Sequence, residues 1–194
     1  MNLNFHKNNF VDYLIVLLGF FLCISVFISD LLVFGIVLIW LFSGNWKYKW
    51  AKIKSSNFSI AIILFFSFYV FGLTWGEINL DSWKWISKQA LLIIIPIIIS
   101  SPVKKKFVNI ALMAFLFGML INTFASIGCY LDFWSINYHH YPNEKVAIGF
   151  LDHFDHSVFL CFASIMIITT LAEKRNSFQQ NIIYFLILLL FLTS

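Results

Sequence analysis

The sequence predicts an all-α, polytopic membrane protein with about seven transmembrane helices. Of its 194 residues, 61% are hydrophobic, 20% are aromatic and only 11% are charged. A soluble domain carries roughly 25% charged residues, and a chain of this length has too much surface to hide such an apolar surplus. The apolar residues come in long runs, whereas a membrane β-barrel would show alternating segments of about ten residues. Composition therefore excludes a soluble enzyme, a disulfide-rich secreted module and a disordered chain.

The apolar runs divide into spans because a membrane-crossing helix needs about 20 mostly apolar residues. The predicted spans, which together form a single transmembrane domain, are residues 11–29, 31–43, 58–74, 88–101, 107–131, 154–172 and 181–194. The first two are separated at Ser29 and Asp30, because a carboxylate is costly at the centre of a bilayer. The alternative is one long kinked helix over residues 11–44. Pro96 predicts a kink in the fourth span, since its missing N–H frees a carbonyl group.

The last predicted span is short. As a helix, residues 181–194 reach about 21 Å, whereas the hydrocarbon core of a bilayer is about 30 Å thick. A short tilted helix that thins the bilayer would explain this length. The pattern favours the N-terminal fragment of a longer protein.

The distribution of charge predicts the orientation. Strict alternation of the spans places ten of the thirteen Lys and Arg residues on one side and seven of the nine acidic residues on the other. Because Lys and Arg collect on the cytoplasmic side of membranes, the N-terminus is predicted to be cytoplasmic. Basic residues in such scattered clusters are not typical of nucleic-acid binding. The cytoplasmic set comprises Lys7, Lys47, Lys49, Lys52, Lys54, Lys104, Lys105, Lys106, Lys174 and Arg175.

The outer loop before the sixth span carries four of the five histidines. His153 and His156 stand at i and i+3, so a helix that begins here would place both imidazoles on one face. Three interpretations stay open: contact with a substrate through titrating histidines, a zinc or iron site, and an ordinary helix start stabilised by Asp152 and Asp155. Histidine and carboxylate without a longer motif are weak evidence for a metal, and no metal or cofactor is predicted.

The other outer loop offers a second candidate contact. Lys84 and Lys88 stand at i and i+4, and a lysine at the outer mouth of a span can hold a lipid phosphate. The alternative is a pair of lysines whose ammonium groups simply reach the membrane surface. The predicted substrate-binding set is therefore Lys84, Lys88, His153 and His156.

Three stretches of the chain resemble the N-terminal half of the O-antigen ligase and O-antigen polymerase family of bacterial envelope glycosyltransferases. The first is the opening hairpin with the Trp- and Lys-rich loop that follows it. The second is GLTW at residues 72–75 together with WISKQALLIIIP at 85–96, where a basic residue leads into an apolar span with a proline. The third is DHSVFL at 155–160, followed by a basic turn and a span that ends in LTS at 192–194.

The resemblance implies a multi-pass protein of the bacterial inner membrane. Members of this family transfer a glycan from a polyprenyl diphosphate to lipid A core or to a growing O-antigen chain on the periplasmic face. By position, Lys88 is similar to the basic residue before the proline span, and His156 to a histidine that often opens the sixth span. The best-known functional arginine and histidine of the family lie in an outer loop of the second half. This chain is therefore expected to lack the main catalytic loop.

The predicted partners are a polyprenyl-diphosphate-linked glycan, a lipid acceptor or polymer end, and the lipid bilayer. The main alternative is a membrane transporter or permease fragment without catalytic activity. A transporter would be expected to place ionisable residues near the middle of its spans, and the predicted spans have almost none. The pattern therefore favours chemistry at the membrane surface.

Overall fold

The computed structural model describes residues 3–75, 86, 89–134, 149–151, 153–172 and 178–193. These residues contain helices and no strand, which confirms the all-α prediction. A 3₁₀ turn at Leu91–Ile93 precedes α5, so the irregular backbone lies just before Pro96. The helices are α1 (Leu3–Phe21), α2 (Val26–Phe42), α3 (Trp46–Lys54), α4 (Asn57–Gly72), α5 (Ile94–Ser100), α6 (Lys105–Tyr130), α7 (His153–Ala172) and α8 (Phe178–Thr193).

Two of these helices, α6 and α7, are long and apolar enough to cross a membrane. A third span is obtained if α2 and α3, which are bent by 117° relative to each other, count as one. Large apolar side chains such as Phe65, Phe68, Phe162 and Ile165 are more than half exposed, as expected for surfaces that face lipid. These helices support the prediction of a membrane protein, while the count of seven spans stays a prediction.

The chain divides into two compact units, Met1–Leu14 with Leu32–Val108 and Ile15–Leu31 with Asn109–Ser194. In the first unit, α3 packs against α4 and α5, and α4 also packs against α5. The buried apolar side chains of this unit include Ile36, Ile53, Ile62 and Ile97. Ser56 caps α4 by accepting a hydrogen bond from the Ser59 backbone N–H at 3.2 Å.

In the second unit, α1 and α6 approach so closely that glycine is required on both. A Cβ on Gly118 would lie 2.7 Å from the carbonyl oxygen of Phe20, and one on Gly19 would overlap the carbonyl of Ala111. Cys23 donates its S–H to the carbonyl of Phe115 at 3.6 Å. Because residues later in α1 meet residues later in α6, the two helices run in the same direction. Small residues permit this backbone approach, as they do between helices in membranes.

The remaining helices of the second unit complete its core. The rings of Phe115 and Phe159 meet edge to face at 5.8 Å, and α8 packs against α7. Contacts between α6 and α7 run in opposite order along the two helices, so these helices are antiparallel. The buried cluster consists of Cys23, Phe115, Leu116, Met119, Ala163, Ile167 and Phe191.

The break between the first two helices differs from the sequence prediction. It lies at residues 22–25, whereas Ser29 and Asp30, which were predicted to form the turn, belong to α2. The Ser29 hydroxyl donates to the carbonyl of Ser25 at 2.9 Å, so this side chain is satisfied within the helix. Asp30 is exposed near the start of α2. The actual break contains the fully buried Cys23 and ends at Ser25, whose hydroxyl accepts a hydrogen bond from the Ile28 backbone N–H at 3.4 Å at the start of α2.

Candidate functional site: a buried asparagine–histidine pair

The structure brings one of the four predicted site residues into a buried polar site. His156 lies in the first turn of α7 and is only 5% exposed. His153 is the first residue of the same helix, as the predicted spacing requires, but its side chain lies outside the described residues. Lys84 and Lys88 also lie outside the described residues. The described structure therefore gives side-chain geometry for His156 alone among the four.

The partner of His156 is Asn122, which lies on α6 about two helical turns before that helix ends. Asn122 is fully buried, and its Nδ2 atom lies 2.7 Å from Nδ1 of His156. On its other side, Oδ1 of Asn122 accepts a hydrogen bond from the backbone N–H of Phe150 at 2.6 Å. One amide group thus joins α6, the start of α7 and the segment that precedes α7.

The hydrogen bond from Phe150 determines the tautomer of the histidine. A backbone N–H can only donate, so the oxygen of the Asn122 amide must face Phe150 and its NH₂ group must face His156. Nδ1 of His156 is therefore the acceptor, and the ring proton resides on Nε2. An imidazolium would direct a second N–H at the Asn122 amide group, and the pair accordingly favours the neutral ring.

Glycine lets the segment before α7 reach Asn122. Gly149 is buried, and a Cβ at this position would overlap the side chain of Asn122 and lie 2.6 Å from its backbone oxygen. Leu151 is 2% exposed, which anchors the segment on the other side of Phe150. The segment is thus held on α6 both by packing and by the hydrogen bond to Asn122.

The Nε2 atom of His156 is buried and has no hydrogen-bond partner among the described residues. Leaving a buried donor unsatisfied costs about 1–3 kcal/mol. Helix α6 buries three polar side chains, those of Asn122, Thr123 and Ser126. The hydroxyl of Thr123 also has no hydrogen-bond partner among the described residues. Polar residues within an apolar membrane helix are expensive and commonly mark a functional site.

The arrangement offers a fixed, neutral N–H donor in a water-poor environment. Such a donor can bind an oxygen atom that carries or gains negative charge, for which a pre-oriented hydrogen bond is strongest. It is poorly suited to accept a proton, because the basic lone pair of the neutral ring lies on Nδ1, and Nδ1 already accepts a hydrogen bond from Asn122. Across the described residues, no group of three His, Cys, Asp or Glu side chains is placed to hold a metal ion.

Asn122 and the segment at 149–151 were missed by the sequence analysis. The available signal was an asparagine within the apolar run at 107–131, where an amide needs buried partners. The position of Gly149 gave no such signal, because its importance depends on a contact between residues distant in sequence.

Comparison with known protein families, curated proteins and solved structures finds no match. The resemblance to the O-antigen ligase and polymerase family therefore rests on the sequence stretches described above.

Proposed function

We propose that this chain belongs to a bacterial inner-membrane glycosyltransferase that moves a glycan from a polyprenyl diphosphate to lipid A core or to a growing O-antigen chain. The reaction takes place on the periplasmic face, and the chain crosses the membrane about seven times with its N-terminus in the cytoplasm. The single observation that carries the proposal is the buried Nε2–H of His156, which has no hydrogen-bond partner in the part of the chain that the structure describes. A polyprenyl diphosphate presents anionic oxygens at the membrane surface, and this is the class of acceptor that such a donor fits.

The directions of the helices support the proposed topology. In the alternating arrangement, the first and fifth predicted spans cross in the same direction and the sixth crosses in the opposite one. The parallel contacts of α1 with α6, and the antiparallel contacts of α6 with α7, have this pattern. In the proposed topology, His156 lies near the periplasmic end of α7, on the side where the glycan carrier is used.

The proposed role of His156 is to bind a phosphate oxygen of the carrier. When the bond between the sugar and the diphosphate breaks, the leaving diphosphate gains negative charge, and a fixed N–H donor becomes more favourable. His153, one turn earlier on α7, and the two lysines Lys84 and Lys88 are proposed as further contacts to the same carrier. Asn122 is a positioning residue, since it orients the imidazole without contacting the carrier.

Binding of the carrier to the purified chain in lipid nanodiscs tests this proposal. The probes are undecaprenyl diphosphate and the uncharged alcohol undecaprenol. We expect the diphosphate to bind more tightly, and His156→Phe to weaken it about tenfold to a hundredfold, as for loss of a hydrogen bond to a charged group. His156→Gln, whose amide can donate in place of Nε2, should retain part of the affinity.

Thr169→Ala provides a matched control on the same helix, because this exposed hydroxyl bonds only locally to the carbonyl of Met166. It should bind undecaprenyl diphosphate like the unmodified chain. Equal affinity for diphosphate and alcohol, or full affinity in a folded His156→Phe variant, would contradict the proposal.

The alternative, a transporter or permease, draws less support from the structure. Asp12 is a fully buried acidic residue whose Oδ1 atom accepts the backbone N–H of Lys104 at 3.3 Å, while its Oδ2 atom has no hydrogen-bond partner among the described residues. Lys104 immediately precedes α6, so Asp12 caps the start of that helix and compensates its positive end. This is a structural role at the end of a span, whereas a transport site is expected near the membrane midplane.

A further inference from the structure

The chain turns sharply between the end of α2 and the start of α3. The two helices are bent by 117° across the short connection at residues 43–45. Gly44 and Asn45 adopt positive φ angles of 70° and 53°, a conformation that glycine and asparagine tolerate better than other residues. Membrane helices are tilted by only about 20° on average from the bilayer normal. If α2 crosses the membrane with such a small tilt, the bend of 117° makes α3 run close to the membrane plane.

One lysine of α3 joins this helix to the end of α2. Lys49 is buried, and its ammonium group donates to the carbonyl of Trp40 in the last turn of α2. The same ammonium lies 4.7 Å from the ring centres of both Trp40 and Trp46. The same carbonyl also accepts the Ser43 hydroxyl at 3.0 Å. A cation is favourable near the last carbonyl groups of a helix, and the rings add cation–π attraction. Burial lowers the pKa of Lys49, which lies outside the two helices long enough to cross a membrane.

The other lysines of α3 lie at the surface, and the ammonium of Lys54 lies 5.8 Å from the ring centre of Trp50. Lys47, Lys52 and Lys54 are exposed, as are Trp46 and Trp50 at 52% and 54%. Tryptophan concentrates at membrane interfaces, where its ring is partly in apolar and partly in polar surroundings. No acidic residue occurs in the sequence from Ser43 to Trp75. The exposed part of α3 is therefore both aromatic and basic, with no acidic residue of its own.

A second basic segment begins close to α3. Ser101 and Pro102 line the same small cavity of about 20 Å³ as Lys49 and Ser43, and the exposed Lys105 and Lys106 follow shortly after. Both segments belong to the first unit. Basic residues from these two segments therefore lie near each other in the first unit.

We propose that α3 lies at the membrane surface and binds anionic phospholipid headgroups through Lys47, Lys52 and Lys54. Trp46 and Trp50 then sit at the boundary between headgroups and acyl chains. The phosphate oxygens of the lipids complement the exposed ammonium groups, and each basic residue near an anionic surface adds to the attraction. This proposal is independent of the proposed glycan transfer, since it concerns lipids of the surrounding bilayer.

Lipid selectivity of the full chain in vesicles tests the proposal. Spin-labelled phosphatidylglycerol and phosphatidylcholine with the same acyl chains are compared by the fraction of label that is immobilised at the protein. We expect the anionic lipid to be preferred about threefold or more, and the preference to shrink as salt is raised. The triple variant Lys47→Gln, Lys52→Gln and Lys54→Gln should reduce the preference by at least half.

Two control variants separate a binding surface from net charge. The triple arginine variant at positions 47, 52 and 54 keeps the charge and should keep the preference. A variant with Lys145, Lys174 and Arg175 changed to Gln removes the same charge elsewhere in the sequence and should leave most of the preference in place. An equal loss in that variant and in the α3 variant, or no preference in the unmodified chain, would overturn the proposal. Circular dichroism of each variant checks that it is folded.

Discussion

Lys49 in the first unit and His156 in the second are both polar side chains enclosed by mostly apolar surroundings. Around Lys49, the ammonium donates to the carbonyl of Trp40, and the indole N–H of Trp40 donates to the hydroxyl of Ser100 at 2.8 Å. Around His156, Asn122 engages one ring nitrogen and leaves the other without a partner in the described structure. A lysine with a bonded ammonium is typical of a structural role, whereas a buried donor without a partner calls for a further one, such as a water molecule or a ligand. Burial alone would not distinguish the two sites.

The largest effect is expected at Asn122, because its amide connects three segments. Asn122→Leu removes the hydrogen bonds to the Phe150 N–H and to Nδ1 of His156, so we expect destabilisation of about 3 kcal/mol. The measurement is equilibrium unfolding in mixed micelles, followed by circular dichroism. Asn109→Leu is the matched control, since Asn109 lies exposed on the same helix and its change should cost less than about 0.5 kcal/mol. Equal losses in the two variants would remove the distinction between a structural amide and a surface amide.

A smaller effect is expected at Lys49. Lys49→Met keeps most of the apolar stem but removes the ammonium that joins α3 to the end of α2, and we expect a loss of about 1–2 kcal/mol. The same unfolding measurement applies. Lys52→Met, at an exposed position of the same helix, should change the stability by less than about 0.5 kcal/mol. If Lys49→Met were equally harmless, the ammonium of Lys49 would not stabilise the contact between α2 and α3.

A chemical effect, read as the position of one proton and not as a free energy, is expected from Asn122→Asp. A carboxylate still accepts the Phe150 N–H, but it cannot donate to His156, so the ring must move its proton to Nδ1 or become doubly protonated. Nitrogen-15 spectra of labelled histidine, with His156→Gln used to assign the signal, report the position of the proton. The unmodified chain should show protonation at Nε2 and the variant protonation at Nδ1. An unmodified chain that already carries the proton on Nδ1 would refute the donor role of Nε2.

The parts of the fold that the sequence predicted well are those set by composition. The apolar runs at 107–131 and 154–172 correspond closely to α6 and α7, because lipid-facing helices must be apolar along their whole length. The break at residues 22–25 was placed too late, since Ser25 accepts a backbone N–H in the first turn of α2 and Cys23 is buried there, whereas Asp30 is the more polar residue in the sequence. Helix α3 was taken for a loop because its only buried side chains are Lys49 and Ile53, too few to give an apolar period.

The candidate site was predicted only in part for a related reason. His156 could be singled out because histidine and aspartate cluster before the sixth span. Asn122, Gly149 and Phe150 become a site only through contacts between distant segments, which no local pattern encodes. The tautomer of His156 follows from the direction of a single backbone N–H, and this direction is known only once the chain has folded.

The close contact between α1 and α6 also determines when the second unit can be completed during synthesis. Cys23 and Phe115 are separated by 92 residues along the chain. At a translation rate of about 5–20 residues per second, the ribosome needs roughly 5–20 seconds to make the intervening segment. During that time Ala111, against which Gly19 packs, has not yet been made. Helix α1 must therefore wait in the membrane or beside the insertion machinery. A substitution of Gly19 or Gly118 by a larger residue would therefore impair late assembly of the protein while leaving the insertion of α1 unaffected.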